Sequence, residues 1–420
     1  MSGDPIAMAG NPRRVFAVLA ASLVLAIVSR PANAAKEITL HTFTLQNGDG
    51  ANPASGITTD RKGNLFGTTW YGGNNGCGGG VGCGTIFETS PVIGGGWNTG
   101  TIYSFNDQQD GGYPQSPLAL DSSGALYGTL QASRDSPGGS AFALVPANGS
   151  WTFETLYQFQ NGADGRVNPT SPVLLKHGAL TGISYSGGNG NCQSGCGTLF
   201  RLAPPKSGGL PWKHTTLFSF PGGDGTSLPQ WLADSGQTNT VYVATNPTAG
   251  DSGAVVSLSG AGGAWTETVL YSFSGGKDGS YPGNLVVGSD GTIYGTAAIG
   301  SGSGGMVFAL SPPRHPGSSW TKSTLYQFKG AYRGPTSLTL SSTGTLLGTA
   351  FGEIDFFAGN VFELTAPRGR NTGWAYKQLY NFNRRGPSRN PMNAVFGKGG
   401  HLYGVLNGGD SDFGAVFELR

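Results

Sequence analysis

A short strand ending in Phe occurs seven times in this chain of 420 residues, and the even spacing of the copies constrains the fold more than any other feature. The copies are Thr39-Leu-His-Thr-Phe43, Thr101-Ile-Tyr-Ser-Phe105, Thr155-Leu-Tyr-Gln-Phe159, Thr216-Leu-Phe-Ser-Phe220, Val269-Leu-Tyr-Ser-Phe273, Thr324-Leu-Tyr-Gln-Phe328 and Gln378-Leu-Tyr-Asn-Phe382. Subtracting successive Phe numbers gives 62, 54, 61, 53, 55 and 54, slightly longer than the usual periods of bladed repeat proteins.

Each period holds three further strand signals. A hydrophobic-Gly-Thr motif recurs at Leu65-Phe-Gly-Thr68, Leu126-Tyr-Gly-Thr129, Ile293-Tyr-Gly-Thr296, Leu346-Leu-Gly-Thr349 and Leu402-Tyr-Gly404, with degenerate copies at Leu180-Thr-Gly182 and Val241-Tyr-Val243. After it comes a strand such as Gly84-Thr-Ile-Phe-Glu88 or Asn360-Val-Phe-Glu363. Before it lies an extended piece such as Ser116-Pro-Leu-Ala-Leu-Asp121, closed by a Gly-bearing turn. The period is therefore a four-stranded antiparallel meander, its strands named a to d in chain order.

Both faces of such a sheet are apolar, since Leu156 and Tyr157 point to opposite sides of one strand. Radial stacking in a ring hides both faces and leaves only short edges. The last period stops after strand c at Arg420, while residues 36–43 form an unpartnered strand of type d. The expected fold is all-β, a seven-bladed β-propeller whose last blade is completed by the N-terminal strand. Six or eight blades, or a β-helix, are the alternatives. The expected domain is 35–420, with blades at 52–105, 113–159, 168–220, 228–273, 281–328, 333–382, and 390–420 plus 36–43.

Residues 1–34 have the pattern of a removed export signal: Arg13-Arg14, an apolar run from Val15 to Val28, then Pro31-Ala-Asn-Ala34. Cleavage there leaves 420 − 34 = 386 residues, and the start could be Met1 or Met8. The expected location is secreted or periplasmic, with no C-terminal anchor visible and no mature transmembrane segment. Charged residues are 11% and Gly numbers 74, against roughly 25% charged and about 7% Gly in ordinary domains. The net charge of +2 and the lack of a basic stripe argue against nucleic acid. Four cysteines sit in the b-to-c loops of blades 1 and 3, which are not neighbours, so pairing within each loop is favoured, Cys77 with Cys83 and Cys192 with Cys196. A zinc site would need all four thiolates around one ion.

Meander topology puts the d-to-a and b-to-c connections on one end of the ring. That end carries Asp49, Asp110, Asp164, Asp224 and Asp278 in Asp-Gly turns, each followed by a Pro. At the last two connections Arg333, Arg384, Arg385 and Arg389 stand instead. Asp caps its own turn and Gly supplies the positive φ, which explains the turns without a ligand. No cofactor is expected; calcium at these Asp residues is the alternative, although Asn106-Asp-Gln-Gln-Asp110-Gly111 lacks the terminal Glu of a calcium loop. Trp70, Tyr71, Tyr113, Tyr185, Tyr281, Phe356 and Phe357 share the end, and flat rings beside polar groups suit sugar faces. The Arg cluster suits an anionic group such as a uronate.

Catalytic signals are sparse. His177, His315 and His401 fall in turns at the opposite end, and His41 and His214 in outer strands. There is no Gly-x-Ser-x-Gly, no His-Glu-x-x-His and no Walker loop. Glu88, Glu363 and Glu418 recur at one strand-c position, which suggests a structural or surface role.

The run Trp265, Tyr271-Ser-Phe273, Gly275-Gly-Lys-Asp278-Gly, Tyr281-Pro, Asp290-Gly and Ile293-Tyr-Gly-Thr296, with Tyr71-Gly-Gly and Cys83-Gly-Thr-Ile-Phe87, resembles the GloVer-type tandem repeat of bacterial "choice-of-anchor" surface proteins. The likeness covers essentially all of the mature chain. It implies export and a modular repeat, and it brings no catalytic residues. The resulting expectation is an exported binding or scaffold module, with polysaccharide or an envelope protein as partner. An extracytoplasmic glycan hydrolase or lyase is the alternative, and a purely structural matrix protein the third.

Overall fold

The computed structural model describes residues 35–420 other than 74–76, 78–79, 107–109, 132–136, 168–170, 223–225, 247–250, 261–263, 300–303, 316, 331–333, 353–358, 368–372, 383–389 and 409–412. The expected leader, 1–34, lies outside the described residues. Seven antiparallel sheets follow one another, each a meander of strands a to d. Blade 5 is representative: Ser280–Val287, Ile293–Ile299, Met306–Ser311 and Thr321–Gln327. In blades 1 to 3 strand a is broken in two, as in Gly50–Pro53 followed by Thr58–Thr59.

The seventh sheet contains both termini. Glu37–Thr42 pairs antiparallel with Ala415–Leu419, placing Thr39 opposite Phe417, and so supplies strand d of the last blade. Backbone bonds from Lys36 N–H to Arg420 O (2.9 Å) and from Phe43 N–H to Gly414 O (3.0 Å) extend this latch at both ends. Beside it Glu418, fully buried, accepts bonds from His401 Nδ1 at 2.6 Å and Arg420 Nε at 2.9 Å, so this member of the repeated Glu series is structural. Burial alone would raise the Glu418 pKa, but Arg420 and then His401 outweigh it and hold the carboxyl below its usual value.

The core lies between blades. Seven apolar clusters occupy the seven junctions, among them Phe43, Val405 and Val416 of blade 7 against Ile57, Leu65 and Phe87 of blade 1. The repeated motif has a steric cause. A Cβ on Gly295 would lie 2.3 Å from the Phe308 ring and one on Gly348 2.2 Å from Phe362, so strand b needs glycine wherever strand c offers Phe. Blade 4 changes both partners, with Val243 opposite Val256, and this explains its degenerate copy.

Strand d carries a bulge at the same place in each blade, for example between the partners of Val307 and Phe308. The extra residue twists the outer edge, which discourages edge-to-edge association. It also turns Leu156 fully inward while Tyr157 stays half-buried.

Candidate functional site

Four of the d-to-a turns, those of Asp49, Asp110, Asp164 and Asp278, are each built around one carboxylate. Tyr103 Oη donates to Asp110 at 2.5 Å, Tyr157 to Asp164 at 3.1 Å and Tyr271 to Asp278 at 2.6 Å. Asp164 also accepts from Gln160 N–H (2.9 Å) and Asp278 from Ser274 N–H (2.8 Å). In the latch strand His41 takes the Tyr position, with Nε2 3.2 Å from Asp49, so a histidine does reach this end of the ring. Burial and then the neighbouring Asp push Tyr157 and Tyr271 up to about 12. Lys322, on strand d of the next blade, bonds Asp278 at 2.8 Å; with Tyr271 it offsets the burial that would raise the Asp278 pKa, which is held below the usual value.

Each of these four carboxylates is thus engaged by protein donors. Among the described residues no group of three or more His, Cys, Asp or Glu is placed to hold a metal. Asp224 lies outside the described residues.

One clamp is covered by a titratable ring. His214 stacks on Tyr157 at 4.9 Å and meets the Phe159 edge at 5.7 Å, while its buried Nε2 has no hydrogen-bond partner among the described residues. Phe153 fills the corresponding place over Tyr103, stacked at 4.7 Å. Burial lowers the His214 pKa from 6.5, with Asp164 opposing weakly. The unfolded chain therefore binds a proton that the folded one resists, and stability falls as pH drops below 6.5 toward the lower folded pKa. His214→Phe is expected to remove this acid loss and, by eliminating a buried unsatisfied nitrogen, to add about 1 kcal/mol at neutral pH. Melting curves at pH 7 and pH 5 test it: an unchanged pH dependence in the variant would rule out His214 as the cause.

The expected aromatic residues separate into two groups. Trp70 and Tyr71, at the end of Leu65–Gly72, stack at 5.6 Å with planes 4° apart, and Tyr113 of blade 2 meets Tyr71 edge-on at 6.2 Å. Tyr281 is 44% exposed and Tyr185 42% exposed, both away from that trio. Tyr281 lines a cavity of about 300 Å³ between blades 4, 5 and 6, together with Gln230, Asn246, Asn284 and Thr336. Arg333, Arg384, Arg385, Arg389, Phe356 and Phe357 lie outside the described residues.

Tyr113 and Tyr281 have left-handed backbones, φ 59° and 52°, as do Asn52 and Leu228 in the same place before a Pro. The strain has a structural cause. Each of these residues donates its N–H to the b-to-c loop of the preceding blade, Tyr113 to Cys83 O at 2.8 Å and Tyr281 to Ser252 O at 3.1 Å. The following Pro then fits against a glycine: a Cβ on Gly84 would lie 2.7 Å from Pro114 Cδ. Blade junctions thus fix the backbone at the mouth of the ring, while side-chain identity there varies as Asn, Tyr, Leu and Tyr.

Both cysteine pairs are bonded within their loops, Cys77 to Cys83 and Cys192 to Cys196. Cys83 and Cys196 carry the carbonyls that receive Tyr113 and Leu228, so each bridge stiffens the loop that holds the next blade.

A second series of residues escaped the sequence reading. Eight positions before the Phe of strand d stands Trp97, Trp151, Trp212, Trp265, Trp320 or Trp374. Five of these pack on an aromatic of strand b in the preceding blade: Trp97 on Tyr403 at 5.4 Å, Trp151 on Phe66 at 6.1 Å, Trp212 on Tyr127 at 6.2 Å, Trp320 on Tyr242 at 6.1 Å and Trp374 on Tyr294 at 5.6 Å. Aligning the seven Phe copies and reading backward would have exposed the series.

Sheets, latch and junctions define a seven-bladed β-propeller. The chain belongs to the family described as the Gloeobacter/Verrucomicrobia repeat, which matches residues 27–246 and again 190–417. No curated protein matches it. Among solved structures it is similar to a fungal alcohol oxidase of the AA5 family (TM-score 0.56, 14% identity, 92% of this chain and 76% of that one). It is also similar to the WD40 β-propeller domain of Doa1 (TM-score 0.54, 12% identity, 92% and 97%). A third likeness is to PorZ of Porphyromonas gingivalis, a surface component of the type-IX secretion system (TM-score 0.54, 12% identity, 87% and 46%). At such identities the likeness concerns the fold alone.

Proposed function

We propose that the protein is an exported binding module that takes polysaccharide on the end of the ring formed by its d-to-a and b-to-c connections. The observation that carries this reading is Tyr281, an exposed ring on a cavity of about 300 Å³ bordered by amide and hydroxyl side chains. A half-exposed ring offers a flat apolar face to a sugar, and the amides around it match sugar hydroxyls. Trp70, Tyr71 and Tyr113 give the same end a second aromatic patch. Export is supported by the leader pattern of residues 1–34 and by two disulfides, which persist in oxidising compartments. No helix among the described residues is long and apolar enough to cross a membrane. Arg333, Arg384, Arg385 and Arg389 would favour acidic chains at that end.

A glycan array followed by calorimetry on the strongest hit tests the reading. Tyr281→Ala is expected to weaken binding about fivefold or more, the equivalent of losing about 1 kcal/mol of ring stacking. Wild-type affinity in Tyr281→Ala, Trp70→Ala and Arg385→Ala alike would show the site is misplaced. Release of fragments would point to a glycan-active enzyme, and silence across the array to a matrix role.

A further inference from the structure

Two of the seven junctions lack the aromatic pair that the other five have: between blades 6 and 7 Leu347 and Ala35 stand at the two positions and pack together, whereas between blades 3 and 4 the Trp is present without its partner ring. Where five strand-b positions hold Tyr or Phe against the next blade's Trp, blade 3 holds Thr181, and Trp265 of blade 4 meets no aromatic partner among the described residues. A cleft of about 530 Å³ opens there, on the end opposite the loop-rich one, bordered by Trp265, Thr181, Arg201, Lys176, Asp234 and Asn239.

The walls are fixed. Trp265 is half-buried and packs against the apolar core between blades 3 and 4. Gly260 lies so close that a Cβ would fall 2.5 Å from the indole, so only glycine fits beside the ring there. Lys176 of blade 3 is ion-paired with Asp234 of blade 4, tying the two rims together. Arg201 is exposed at the cleft and makes no ion pair or hydrogen bond among the described residues, so its guanidinium fork is available to a ligand.

We propose that this cleft binds the ring of an acidic saccharide, with the sugar face against Trp265 in the place of the missing aromatic and the sugar carboxylate on Arg201. The chemistry favours a sugar over the aromatic side chain of a peptide. Apart from Trp265, Leu217 and Val241 the lining is polar, and an aromatic side chain would leave Asn239, Thr181 and their neighbours without partners. A pyranose offers hydroxyls to them, and a carboxylate matches the planar donors of Arg201. This site is independent of the one proposed at the loop-rich end.

Calorimetry with oligogalacturonate, its neutral methyl ester and N-acetyltyrosine amide tests the assignment. Wild-type protein is expected to bind oligogalacturonate more tightly than the ester. Arg201→Gln should weaken the acidic ligand about tenfold, the equivalent of one charge-assisted hydrogen bond, and leave the ester unchanged. Thr181→Phe, which copies Phe66 of blade 1, should abolish binding of both without lowering the melting temperature, because it restores the ring that five other junctions carry. If Thr181→Phe lowers the melting temperature, the Arg201→Gln comparison decides alone. Tyr281→Ala at the far end should leave these affinities intact. Undiminished binding in both Thr181→Phe and Arg201→Gln would overturn the proposal. So would loss of binding in Tyr281→Ala alone, binding of the tyrosine amide alone, or binding of no saccharide at all.

Discussion

Deletion of residues 35–43 is expected to leave a chain that is largely unfolded or aggregated at room temperature. The segment supplies the whole of strand d in the last blade, and its Phe43, 2% exposed, packs edge-on against Phe87 of blade 1 at 5.1 Å. Truncating a buried Phe alone costs about 3 to 5 kcal/mol. The deletion also uncovers Val416 and Phe417, both fully buried in the intact protein, and leaves Ala415–Leu419 as an open edge. A domain stable by roughly 5 to 15 kcal/mol cannot absorb the sum. Adding a peptide of residues 35–44 should restore part of the folded signal by strand addition. A deletion variant with the wild-type melting temperature would mean that the ring does not depend on this strand.

The second large effect is expected at Phe273. Its ring, 5% exposed, contacts Tyr271 at 5.1 Å and Phe308 at 5.2 Å, and the Lys322 ammonium lies 5.5 Å from its centre. Phe273→Ala should cost about 3 to 5 kcal/mol, since the junction of blades 4 and 5 is built from rigid strands and collapses little around a void. Urea denaturation measures it directly. An unshifted midpoint would place the ring outside the core.

The repeat made the fold legible. Phe at the end of strand d and Gly in strand b are two sides of the same packing problem, so their spacing reported blade number and strand order together. The latch could be inferred because a period without strand d and a strand d without a period complete each other. Interactions between blades were harder to read. Nothing local in sequence links Trp320 to Tyr242 or Pro114 to Gly84, whose contacts arise only when consecutive sheets stack. The candidate site was half legible: Trp70, Tyr71 and Tyr113 come together, whereas the cavity at Tyr281 depends on three successive blades. The clamp between Tyr and Asp was hidden because its two halves, seven residues apart, look like a core ring and a solvent-facing turn. The cleft at Trp265 is marked in sequence by an absence, Thr181 where an aromatic belongs, which only the aligned series reveals.

Ring closure by the N-terminal strand underlies the sidedness of every loop and hence both proposed sites. Amide hydrogen exchange on the intact protein tests it most directly. The amides of residues 37–42 that bond to Ala415–Leu419 are predicted to exchange as slowly as those in the middle of Leu402–Asn407, through global unfolding alone. Exchange of residues 37–42 within seconds, at the rate of an unstructured chain, would contradict the closed ring.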